Sequence, residues 1–313
     1  MPERYPSAVA TLETSLFVCA VCGAVAGDLG PGPGGRPAAA CRACSSLERQ
    51  RVVALLLGAF EQEAHLGQVV LDVAPSRQLS PLIRALRPSG YVSIDFDPAA
   101  DNRVVSVAAS LTDVPLSDDS VGLLICLHVL EHIPDDAAAM REIARTLHPS
   151  GIAVIQVPRK PGTLTDEDPS ASEEERVRRF GQSDHVRYYG DDFEDRLRAE
   201  GLSVLTLVTS DLIPRSWMPL LGVDPDEPLW LCRAAGAGEI DLTAVRAAVP
   251  QGLVQVLERV GRRARVTAAA ANPARPPAPP KAPPSTTRRV VRRLRRVPAL
   301  ASLERRIRGR RQS

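Results

Sequence analysis

The chain has 313 residues, 44% of them hydrophobic and 24% charged, enough for one large domain or two modest ones with a substantial core. Its net charge of +2 conceals an asymmetry: eleven arginines and one glutamate between Arg288 and Ser313 give that tail +10, leaving −8 for Met1–Thr287. An acidic folded part argues against a nucleic-acid binder, and no apolar run reaches the roughly 18–20 residues of a bilayer span. The N-terminus lacks a basic region followed by an apolar stretch and a cleavage site, so a cytoplasmic location is expected.

Residues 1–46 are expected to form a small zinc ribbon. Cys19 and Cys22 are two residues apart, as are Cys41 and Cys44, and eighteen residues separate the pairs. Two such knuckles can complete a tetrahedron of thiolates around one zinc ion, and the glycine- and proline-rich stretch between them has too few apolar residues to fold without a staple. Four thiolates leave no open position, so the zinc is structural. Two redox-active CxxC pairs are the alternative.

Residues 47–236 are expected to form the main domain. Leu47–Phe60 has the apolar spacing of an amphipathic helix. Gln68–Val73 is an apolar strand carrying Asp72, and Ser76 can cap a helix running to Leu86. Tyr91–Ile94 and Arg103–Val107 are the next strands. Val121–Leu127 has the composition of a strand buried on both faces, and the helix after it starts at Pro134-Asp135-Asp136. Ile152–Val157, Leu202–Val208 and Pro228–Cys232 complete seven strands, with a helix over Asp191–Glu200. Cys126 and Cys232 fall within strands as small core residues. Strand and helix alternate, which predicts an α/β fold: a doubly wound, mostly parallel seven-stranded sheet of Rossmann-like type. Ligands of such sheets bind beyond the carboxyl ends of the strands, where His128, Glu131 and His132 fall.

Residues 160–190 are too long for a plain connection and predict a lid or substrate loop. A short helical extension is expected over 237–266 and a Pro/Ala-rich linker over 267–287. The basic tail, 288–313, has apolar residues at helical spacing. It suits a peripheral anionic membrane surface or an acidic partner, against the alternative of a solvated tail.

The order strand–Asp72, strand–Asp95, LTDVPLSDDS, then an apolar strand followed by HVLEHIPDD resembles the class I S-adenosylmethionine-dependent methyltransferases. The likeness is greatest to the HVLEH-containing, type 11-like group with small-molecule substrates. The VLDVAPSRQL segment also resembles a bacterial subgroup in which such a domain follows a zinc ribbon. The resemblance implies an S-adenosyl-L-methionine site made from Asp72, Ala74, Ser76, Asp95, Phe96, Leu111, Thr112 and His128. In it Asp72 helps hold the amino group of the methionine part. Asp95 takes both ribose hydroxyls, for which two oxygens on one carboxylate are well suited. Leu111 and Thr112 lie beside the adenine, with Asp113 as an acceptor for its amino group.

The usual alternating glycines of the first motif are missing from Asp72–Arg77, and Pro75 removes an amide donor there. A protonated acceptor would need a general base. His185, in the DHVRYY segment of the expected substrate loop, is the candidate catalytic residue. Glu131, His132, Arg187 and Tyr188 are candidates for binding a small-molecule substrate. The histidines have a structural alternative as helix caps. Two further readings are an RNA base methyltransferase, since the ribbon also resembles that of ribosomal RNA guanine methyltransferases, and a non-catalytic binding protein with this fold.

Overall fold

The computed structural model describes residues 16–33, 36–63, 67–99 and 103–270. It opens with a two-residue hairpin, β1 (Phe17–Val18) against β2 (Val25–Ala26), which carries the first cysteine pair. Helix α1 (Glu48–Glu63) follows the second pair directly.

A parallel sheet then builds outward from β3 (Val69–Val73). Helix α2 (Ser80–Ala85) leads to β4 (Gly90–Asp95) and the short β5 (Val107–Ala108) on one side. The chain returns across β3 to β6 (Val121–Leu127), and α3 (Asp136–Thr146) leads on to β7 (Leu147–Gln156). A side hairpin of β8 (Asp166–Glu167) and β9 (Arg187–Tyr188) encloses α4 (Glu173–Phe180). After α5 (Phe193–Ala199), β10 (Leu202–Val208) forms the far edge. The short helices α6 (Thr209–Leu212) and α7 (Met218–Leu221) precede β11 (Pro228–Ala234), which inserts antiparallel between β10 and β7. The order β10-β11-β7-β6-β3-β4-β5 is a seven-stranded sheet with one reversed strand, the Rossmann-like methyltransferase arrangement.

Strand β6 is buried over Val121–Cys126 because helices cover both sheet faces, as its unbroken apolar run requires. The strand expected over Arg103–Val107 is confined to Val107–Ala108. It is the sheet edge and both residues are exposed, so no alternating pattern marks it. The strand expected over Ile152–Val157 begins earlier, at Leu147, and runs through Pro149–Gly151, with a register shift where β6 meets it between Val121 and Leu123.

The extension expected over 237–266 is the 29-residue helix α8 (Leu242–Ala270), which continues into the first residues of the expected linker. It crosses α1 at Gly252, where a Cβ would come within 1.7 Å of the Leu55 carbonyl oxygen. It also covers the ribbon: a Cβ on Gly23 would meet the Arg259 backbone at 2.5 Å. Ribbon, α1 and α8 therefore pack into one core with the sheet. The tail at 288–313 lies outside the described residues. Among the described residues, no helix is long and apolar enough to cross a membrane.

Candidate functional site

The four ribbon cysteines converge: their sulfurs all lie within 4.8 Å of one another, and all four are free thiols. Cys19 and Cys44 Sγ are 3.7 Å apart, Cys22 and Cys41 Sγ 3.9 Å. A zinc ion about 2.3 Å from four tetrahedral sulfurs would set them about 3.8 Å apart, so the thiols fit this metal. The two knuckles are built alike. Gly23 N donates to the Cys19 carbonyl at 2.9 Å, and Ser45 N to the Cys41 carbonyl at 2.7 Å. Both residues take the left-handed conformation, at φ 68° and 59°. Ser46 Oγ stands 3.2 Å from both Cys19 and Cys44 Sγ, a donor for thiolates.

A cavity of about 730 Å³ opens beyond the carboxyl ends of β3, β4 and β6, where the chain reverses direction about β3. This is where open α/β sheets bind ligands. Its lining includes Asp72, Ala74, Ser76, Asp95, Phe96, Leu111, Thr112, His128 and His132. Every residue expected to hold the cofactor is thus brought to one space, whereas Asp113 is exposed and does not line it.

Asp72 is buried, and burial raises its pKa. Ser80 Oγ donates to its Oδ2 at 2.7 Å and Tyr91 OH at 2.6 Å, both favouring the anion. Asp95 Oδ1 accepts from Asp97 N at 2.9 Å while Oδ2 pairs with Arg103. A carboxylate has about four lone-pair sites, so it retains capacity for a diol. Ala74, which stands where glycine is usual, has φ 48°, the left-handed conformation that glycine adopts without strain. The first motif keeps the turn and carries a methyl group into it. Ser76 Oγ accepts from Leu79 N at 3.0 Å, capping the turn before α2. Phe96 is 83% exposed at the cavity mouth. His128, at φ 55°, has a buried Nε2 without a hydrogen-bond partner, and burial lowers its pKa.

Two cavity residues gave no signal in the sequence. Arg49 and Gln50 come from the first turn of α1, directly after the ribbon. An arginine at the start of an amphipathic helix reads as solvated, and only the docking of α1 turns it inward. Burial lowers the Arg49 pKa, while Glu131 and Glu227 raise it.

The expected substrate residues are placed differently. His185 is 3% exposed and does not line the cavity; its Nδ1 donates to the Phe180 carbonyl at 3.1 Å and its ring meets His132 edge-on at 4.6 Å. Packing of α4 and β9 draws it behind His132, which does line the cavity. As the base for a bound acceptor it is therefore out of place.

Arg187 is 1% exposed and bonds to backbone. It donates to the carbonyls of Leu130 at 2.9 Å, Pro134 at 2.8 Å and Ile133, and pairs with Glu167 at 3.1 Å. These bonds clamp the 160–190 hairpin onto the HVLEH segment and leave Arg187 no role in holding substrate. Tyr188 is half-buried in β9, also away from the cavity. Glu131 is fully buried and does not line the cavity.

Residues 71–155 match the family model described as "Methyltransferase domain". That segment runs from within β3 to within β7 and is similar to a methyltransferase domain. An uncharacterized methyltransferase of Mycobacterium sp. (strain JLS) is 33% identical over 96 residues, 28% of this chain and 38% of that protein. A probable S-adenosylmethionine-dependent methyltransferase of Mycobacterium tuberculosis (strain H37Rv) is 33% identical over 76 residues, 22% of this chain and 28% of that protein. The chain thus spans well under half the length of these relatives. Among solved structures, geranyl diphosphate C-methyltransferase from Streptomyces coelicolor has a TM-score of 0.40 at 12% identity, covering 60% of this chain and 77% of that one. A methyltransferase solved in complex with the Haloferax volcanii Trm112 activator also has a TM-score of 0.40, at 17% identity, covering 60% and 92%.

Proposed function

We propose that the chain is an S-adenosylmethionine-dependent methyltransferase acting on a small molecule, free or carbohydrate- or lipid-linked. The observation that carries this reading is the convergence of Asp72, Ala74, Asp95, Leu111, Thr112 and His128 on one cavity at the reversal point of the sheet, within the segment that matches the methyltransferase domain. S-adenosylmethionine supplies an activated methyl group. The protein's part is to hold cofactor and acceptor in line and to exclude water.

In this reading Asp95 takes the ribose hydroxyls and Phe96 covers the adenine. Asp72 faces the methionine amino group, and Arg49 faces its carboxylate. Arg49 replaces part of the amide cradle that the glycine-free motif lacks. A structural zinc on Cys19, Cys22, Cys41 and Cys44 then has a consequence for the cavity: it fixes the start of α1, and with it Arg49. The acidic balance of the chain before the tail favours a small acceptor over RNA.

The test is transfer of tritiated methyl from S-adenosylmethionine to fractionated bacterial extract by the full chain. Label in the low-molecular-mass or lipid fraction is expected. Label in RNA overturns the substrate class, and no label in any fraction overturns the activity.

A further inference from the structure

Behind the cavity wall lies a second group of residues of metal-ligating type, Glu131, His132 and His185, each able to offer one ligand atom so that all three lie within 4.8 Å of one another. Glu131 is 0% exposed; its Oε2 has no hydrogen-bond donor, and Oε1 has only His128 Nδ1 beside it, at 3.2 Å. Among the described residues, no arginine or lysine lies within ion-pair distance of it. A buried carboxylate with at most one donor is costly, and a bound cation offsets that cost.

The two histidines are prepared as ligands. His185 Nδ1 donates to the Phe180 carbonyl at 3.1 Å. His132 Nδ1 lies 3.1 Å from Asp184 Oδ2, itself an exposed side chain. With Nδ1 of each ring engaged by an oxygen, Nε2 is the nitrogen left to bind a metal. A carboxylate or carbonyl on the far ring nitrogen is the usual support of a metal-bound histidine. The backbone holds the set together: Val186 N donates to the Glu131 carbonyl at 2.9 Å, and the Arg187 clamp secures the same turn.

We propose that Glu131, His132 and His185 bind a divalent first-row transition metal, with open coordination positions toward the cavity on the His132 side. Two imidazoles and one carboxylate suit manganese, iron or cobalt and leave room for exogenous oxygen ligands. For what the ion does, the proposal rests on the methyl-transfer reading. The acceptor would present a hydroxyl or other oxygen to the metal, which lowers the hydroxyl's pKa and fixes its orientation. This gives a role to a cluster in which no single histidine is placed as a base.

The probe is Mn²⁺, which competes poorly for four thiolates. Titration of the zinc-loaded full chain, followed by loss of the free-ion electron paramagnetic resonance signal, is expected to give one site per chain. His132→Ala, on a half-buried residue that need not disturb the core, should weaken it at least tenfold, and Glu131→Gln should abolish it. Cys41→Ser should lose zinc and retain the Mn²⁺ site if the chain stays folded by circular dichroism; the His132→Ala comparison stands without it. No saturable Mn²⁺ binding to the wild-type chain, or equal binding by His132→Ala, overturns the proposal. S-adenosylmethionine binding in the same samples keeps the two readings apart. Mn²⁺ binding without cofactor binding overturns only methyl transfer, and cofactor binding without Mn²⁺ overturns only the metal.

Discussion

Arg51 Nε donates to the Gly222 carbonyl at 2.8 Å, joining the first helix to the loop before β11. The same fully buried guanidinium donates to the carbonyls of Ala39, at 3.0 Å, and Ser46 in the ribbon. One side chain thus ties ribbon, α1 and sheet domain. Replacing it with methionine keeps the apolar stem and leaves the Ala39 and Gly222 carbonyls without a donor, at roughly 1–3 kcal/mol for each that stays buried, while the Ser46 carbonyl still accepts from Cys41 N at 2.9 Å. Arg51→Met should lower the urea unfolding free energy by about 3 kcal/mol; a change under about 1 kcal/mol would show that the ribbon docks without it.

Metal in the ribbon should depend on α8 as well as on the cysteines. Arg259 Nε and Nη2 are buried without hydrogen-bond partners, beside the turn at Gly23. Four thiolates around Zn²⁺ carry a net negative charge that this guanidinium offsets. Zinc analysis should find one ion per chain, lost in Cys41→Ser. Arg259→Met should release zinc to a chelator about ten times faster than the wild type, with Arg262→Met as the exposed control.

Glu227 gives the stability a pH dependence. Burial, with Asp224 and Glu48 nearby, pushes its pKa up to about 7, while Arg49 opposes the shift. Between the ordinary glutamate value and 7 the folded protein keeps a proton that the unfolded chain has released. Stability from this group is therefore full below about pH 4.5 and falls as pH rises to 7, by roughly 3 kcal/mol at 1.36 kcal/mol per unit. Glu227→Gln retains an acceptor for Gln156 Nε2, now 3.0 Å from Glu227 Oε1. The variant should unfold at a higher temperature than wild type at pH 8, with the gap closing at pH 5. A constant gap would place the effect in packing.

The left-handed Ala74 makes the first motif adjustable. That conformation costs alanine about 1–2 kcal/mol, partly offset by glycine's greater unfolded-state freedom, about 0.5–1 kcal/mol. Ala74→Gly should raise the unfolding free energy by up to about 1 kcal/mol, and Ala74→Val should lower it, both read from urea midpoints.

The sequence carried the sheet because a strand buried on both faces has to be an apolar run, and Val121–Leu127 is one in both sequence and structure. Edge strand β5 has no such constraint, so Val107–Ala108 lay outside what periodicity can locate. The cavity's acidic and small residues follow strand ends and were legible from that position. Arg49 and Arg51 were not, because helical spacing cannot tell a charge facing solvent from one facing a carbonyl or a cavity. His185 and Arg187 misled for the converse reason. Polar residues in a long connection read as substrate contacts, whereas Arg187 is spent fastening that connection to Leu130–Pro134 and His185 is drawn behind His132.

The most direct measurement is calorimetric titration of the full, zinc-loaded chain with S-adenosylmethionine, alongside Asp95→Ala. The account predicts one site with a Kd on the order of 10 µM, and at least tenfold weaker binding when the ribose carboxylate is lost. A folded, zinc-replete wild-type chain that takes up no cofactor at millimolar concentration would contradict it.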